Sequence, residues 1–163
     1  MRGEQKDKRI LLLLTLLGLF LFPFTMKKRS KDWLLVFFIH GYFSMVIASI
    51  VTGAKLISFP VRLFPRSFKS SVLFDALLFP ITAVLYNQWT IHSNFMVTLC
   101  KGLFISIALM LLETWFVTNT RLILYKKWSW KITFVSVTLS LYVTRAMIGM
   151  IRLLNEREQK EQT

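Results

Sequence analysis

The chain has 163 residues, of which 55% are hydrophobic and 15% aromatic, a mean hydropathy of +0.55 and a formal net charge of +13. Soluble domains sit at about 45–50% apolar residues. The excess here is gathered into runs near the roughly 20 residues that cross a bilayer, which excludes an ordinary soluble domain. So basic a soluble chain would suggest nucleic acid, but these Lys and Arg residues fall mainly in short segments between apolar runs. There they set topology and meet anionic headgroups, so nucleic acid is not the expected partner.

Residues 2–9 form a short charged head. The first apolar run, 10–26, contains Gly18 and Pro23. Its basic start and leucine-rich middle resemble a signal peptide, but FPFTMKKRSK follows in place of a small-residue cleavage site, so an uncleaved helix is expected. A basic loop at 27–32 leads to a second span over 33–54. A third is expected over 72–89, with Pro80 inside it, followed by the polar turn NQWTIHSN. A fourth spans 95–118, a basic and aromatic connector covers 119–129, and a fifth spans 130–151 before a polar helical tail, 152–163.

The expected fold is all-α, a single domain forming an integral membrane bundle of five transmembrane helices. An odd number of spans puts the termini on opposite faces. The face with the N terminus, side A, carries more Lys and Arg. The densest short loop, KKRSK at 27–31, lies on side B, so the charge rule leaves orientation open.

From the end of the second helix into the third runs LISFPVRLFPRSFKSSVLFDALLFP, residues 56–80. Pro60 and Pro65 forbid one long helix through its first half. Irregular backbone cannot face lipid at depth, so this Pro/Arg-rich segment is expected either at the headgroup boundary or re-entrant among the helices. Ser70 and Ser71 are candidate N-caps for the third helix.

Asp75 lies about one turn inside side A on the third helix, and Glu113 roughly 8 Å inside side A on the fourth. Arg62 and Arg121 share that layer. A bare carboxylate at such depth is costly, so a side-A charge cluster is expected, with the arginines as partners to the acids or to lipid phosphates. On side B, His40, Lys101 and Arg145 each lie about two turns in and form a secondary layer. They either snorkel to headgroups or line a vestibule.

Ser129, Thr133, Ser136, Ser140 and Thr144 share one face of the fifth helix, and Ser44, Ala48 and Thr52 one face of the second. Small and hydroxyl residues let helices approach closely in lipid, so packing is expected, with a hydrophilic conduit as the alternative. Cys100, the single cysteine, is expected to be a small packing residue. Phosphate-binding glycine loops, zinc motifs and nucleophile elbows are absent from the sequence, so no metal, cofactor or catalytic residue is assigned.

FPVRLF at 59–64, FDALLFP at 74–80 with YN at 86–87, ET at 113–114, TRLILYKKWSW at 120–130 and YVTR at 142–145 resemble a family of small multi-pass membrane proteins of spore-forming Gram-positive bacteria. The likeness covers most of the chain from the second helix onward. It implies a plasma-membrane protein and marks Pro60, Arg62, Pro80, Glu113, Tyr125, Trp128, Trp130 and Arg145 as positions matching the family pattern. That pattern has an acid near Asp75, often Glu, and a more basic third loop than NQWTIHSN.

The reading that follows is a non-enzymatic membrane component that binds anionic lipid headgroups, a protein partner or another copy of itself, in an envelope or spore-related setting. The alternatives are a small transporter or channel subunit using Asp75 and Glu113, and an intramembrane lipid-modifying enzyme using either acid with Arg62 on a phosphate.

Overall fold

A computed structural model describes the backbone of residues 2–26 and 30–161. It contains α1 (Arg2–Thr25), α2 (Ser30–Gly53), β1 (Ile57–Ser58), a π-helical turn (Phe74–Leu78) that runs into α3 (Phe79–Thr90), α4 (Phe95–Asn119), β2 (Leu124–Tyr125) and α5 (Trp130–Glu161). The class is all-α, as expected. α1, α2, α4 and α5 are each long and apolar enough to cross a membrane. Their outer faces carry large exposed apolar side chains such as Leu16, Phe38, Phe104 and Leu139. That is what a helix facing hydrocarbon presents.

α3 differs from the other four. It is the shortest helix and packs against α1, α2, α4 and α5. Its Ile81, Ala83, Val84, Tyr86, Asn87 and Thr90 are buried. Close approach to this segment needs small residues on its neighbours. A side chain at Gly18 of α1 would meet Leu77 at 2.7 Å, and one at Gly41 of α2 would meet the Pro80 ring at 3.2 Å.

The π-helical turn has a local cause. Pro80 has no N–H, and its ring crowds the carbonyl four residues back. One wide turn ahead of it, in which the Phe79 N–H donates to the Phe74 carbonyl, opens the helix at that point. Asp75 sits on the widened turn.

Several expected boundaries move. Residues 2–9 are the first turns of α1, and Asp7 is buried where its Oδ2 accepts the Arg121 backbone N–H at 3.3 Å. Ser30–Asp32 belong to α2, while 27–29 of the expected basic loop lie outside the described residues. The tail continues α5 as far as Glu161, and its Arg152 pairs with Asp32 at 3.0 Å and covers the Trp33 ring.

The Pro/Arg-rich segment is tied to the connector after α4. β1 pairs antiparallel with β2, Ile57 opposite Tyr125 and Ser58 opposite Leu124. Where α2 ends, Leu56 N–H donates to the Val51 carbonyl and Lys55 N–H to that of Thr52, a Schellman closure with Lys55 left-handed at φ 57°. The small sheet closes the side-A end over a core that includes Leu11, Phe59, Phe74, Phe116 and Leu122. A second core, including Trp33, Val36, Leu141 and Ile148, fills the side-B end.

Candidate functional site

The connector turns two aromatic side chains into the bundle. Lys126 and Lys127 N–H groups both donate to the Leu56 carbonyl, which fixes the strand that carries Tyr125. Tyr125 Oη donates to Glu113 Oε1 at 2.7 Å, and Thr133 Oγ1 donates to the same oxygen at 3.1 Å. Trp128 Nε1 donates to Thr133 Oγ1 at 2.8 Å. Burial holds the Tyr125 phenol above its ordinary pKa, so it remains a donor. Glu113 is therefore oriented by three elements at once: α4, the connector and α5.

Asp75 faces the same region from the π-helical turn. It is only 4% exposed, and the Ser70 side chain interacts with its carboxyl. Its other oxygen, Oδ2, is buried and has no partner. A buried carboxyl oxygen left open in this way is expensive unless something else occupies the site.

The Asp75 side chain is part of the wall of a cavity of about 370 Å³. Asp75 and Glu113 line its side-A end and His40 its far end, with Ser44 and Ala48 of α2 and Ser136 and Ser140 of α5 along its walls. Phe43 and Ile47 of α2 and Leu139 and Val143 of α5 also line it, and all four are exposed on the outer apolar surface. The cavity thus opens sideways, between α2 and α5, onto the lipid-facing side. The small-residue faces expected to pack tightly instead leave a groove. The conduit alternative gains nothing from their hydroxyls: Ser136, Ser140 and Thr144 each donate to carbonyls of their own helix.

The arginines expected beside the acids are elsewhere. Arg62 donates to the carbonyls of Phe59 (2.6 Å), Pro65 (3.0 Å) and Phe68 (2.7 Å), so its guanidinium organises its own loop. Arg121 is exposed, and it is its backbone that meets Asp7. The expected cluster thus reduces to the two acids, because a proline-bent loop offers a planar fork nearer acceptors than a neighbouring helix does.

On side B the secondary layer gathers at the C-terminal end of α3. Lys101 Nζ donates to the Trp89 carbonyl and to Ser93 Oγ, both at 2.9 Å, and lies 4.8 Å from the centroid of the Trp89 ring. Arg145 Nη2 donates to the Thr90 carbonyl at 3.3 Å. Cations belong at a helix C terminus, where unpaired carbonyls concentrate negative charge. His40 Nδ1 is bonded to Thr144 Oγ1 at 3.0 Å. Of the remaining marked positions, Pro80 is buried, while Pro60 and Trp130 are exposed, as is Cys100, which corrects its expected packing role.

Two features of the site escape a reading by depth. Thr133 counts there only as one member of a hydroxyl face, although it joins Trp128, Tyr125 and Glu113. The π-helical turn did have a signal: a proline five residues after an acid inside an apolar run. No protein-family model, curated protein or solved structure matches the chain.

Proposed function

We propose that the chain crosses the plasma membrane five times and acts as a non-enzymatic binding protein for an amphiphilic membrane molecule. The molecule's apolar chain lies in the groove between α2 and α5, and its polar head reaches Asp75 and Glu113. The fifth crossing is α3. Its first turns join the side-A core through Phe74, its last residues take Lys101 and Arg145, and Phe74 to Thr90 reaches about 25 Å at 1.5 Å per residue. A segment enclosed by four lipid-facing helices need not match the full hydrophobic thickness.

The observation that carries the binding reading is the union of two unlike surfaces. One continuous cavity has apolar rims exposed on the outer surface and two carboxyl side chains, Asp75 and Glu113, in the lining of one end. Pockets of about 300–1,000 Å³, mostly apolar with a few convergent polar groups, are typical ligand sites. Entry from the side selects ligands already dissolved in the bilayer.

The test is native mass spectrometry of protein extracted from membranes in mild detergent, wild type beside Ser140→Phe, which fills the groove. A lipid-sized species should accompany the wild type and be lost from the variant. Equal retention by both proteins would refute the groove as the site. A transport reading draws on the extent of the groove, from the acids to His40; it requires proteoliposome flux that disappears in Glu113→Gln.

A further inference from the structure

The chemistry of the groove's polar end specifies the head it takes. Two carboxyl groups face it, and among the described residues no Lys or Arg lines the cavity. The cations that might have neutralised the acids are engaged elsewhere: Arg62 with three loop carbonyls, Lys101 and Arg145 with the end of α3. Glu113 Oε1 receives two hydroxyl donors, an arrangement that suits an oriented carboxylate. Asp75 is the second carboxyl in the cavity lining, and its buried Oδ2 receives no donor from the protein. A head that completes this site must bring positive charge and N–H donors. An anionic head would face two acids, and a neutral hydroxyl would supply one donor and no charge.

Two oxygen-bearing groups are few for a divalent metal, and among the described residues no set of three or more His, Cys, Asp and Glu gathers to hold one. An ammonium carries three donors in a compact group, enough to reach both acids. The cavity lies near the lower end of the usual range for ligand sites, which favours one alkyl chain.

We propose that the site binds a single-chain amphiphile with a primary ammonium head, the head between Asp75 and Glu113 and the chain in the groove between α2 and α5. This rests on the amphiphile reading above and adds the head's charge to it. Two carboxyl groups in the cavity wall then meet a counter-charge, and the absence of Lys and Arg from the described lining becomes the basis of selectivity.

The experiment adds dodecylamine, dodecanol or laurate at equal concentration to the full-length protein in mild detergent and reads occupancy by native mass spectrometry. Wild type should hold dodecylamine at least about tenfold more strongly than dodecanol, the scale of a charge-assisted hydrogen bond, and laurate least. Asp75→Asn and Glu113→Gln should each lose that preference, with a helical circular dichroism spectrum and thermal transition like those of wild type showing that the variant has folded. Equal binding of amine and alcohol by wild type, or a preference untouched in both variants, would overturn the ammonium assignment and leave the amphiphile reading standing. Binding of none of the three by wild type, together with no effect of Ser140→Phe on natural retention, would sink both.

Discussion

The two ends of the bundle handle buried polarity in opposite ways. At the side-B end, long polar side chains reach the main chain of neighbouring segments. Lys101 and Arg145 donate to carbonyls at the end of α3, Tyr86 Oη to the Thr98 carbonyl and Tyr142 Oη to the Leu99 carbonyl. At the side-A end, the basic side chains stay in the loops and the acids turn inward, one held by three elements and the other with an open oxygen. The first arrangement ties helices together, although Asn87 Oδ1 and the Nε atoms of Arg145 and Arg152 stay buried without a partner. The second spends folding stability on two acids placed in the wall of one cavity, which is how binding sites differ from structural ones.

The comparison can be broken by substitution, most severely at Thr133. Thr133→Val keeps the shape but leaves Trp128 Nε1 and one donor position on Glu113 unmatched. It should cost roughly 2–3 kcal/mol in denaturant unfolding in mixed micelles and also weaken retention of the bound amphiphile. A side-B change separates the two effects. Lys101→Met removes two bonds to an ammonium at the end of α3 and should cost about 1–2 kcal/mol while leaving retention as in wild type. Loss of the bound species in that variant would mean that the two ends are not independent.

Asp75→Leu should act in the opposite direction. It removes a buried open acceptor beside a cavity with room for the new side chain, so stability should rise by about 1 kcal/mol while the ammonium-bearing ligand is lost. A destabilised variant would reassign Asp75 to structure. The smallest effect is expected at the hinge between α2 and the side-A sheet. Lys55 is left-handed at φ 57°, and Lys55→Gly relieves that conformation for a gain of about 0.5 kcal/mol, visible as a small rise in Tm with retention unchanged.

Much of the fold was legible from apolar runs. The long helices lie where hydrophobic length places them, and the break at 120–129 matches the polar connector, while α3 runs on through the first half of NQWTIHSN and leaves only 91–94 as the turn. The two acids of the site were legible as well, since carboxyls inside apolar runs announce themselves by cost. Their partners were not. Depth along a helix says which residues share a layer, but it gives neither the azimuth of each side chain nor the acceptors a loop offers. Arg62 shows the second limit, finding three carbonyls within its own bend. Thr133 shows the first, since its role depends on where β2 pairs with β1 and how that turns Tyr125 and Trp128 inward.

By itself the sequence determined that the chain is helical and rich in membrane-length segments, because hydrophobic length and proline placement are local properties read without knowing any neighbour. Tertiary structure alone decided that α3 is the enclosed helix, that small-residue faces of α2 and α5 leave a groove where close contact was expected, and that the groove ends on Asp75 and Glu113 without a cation. Those outcomes depend on which helices meet and at what rotation, and that is settled by packing between segments far apart in the chain.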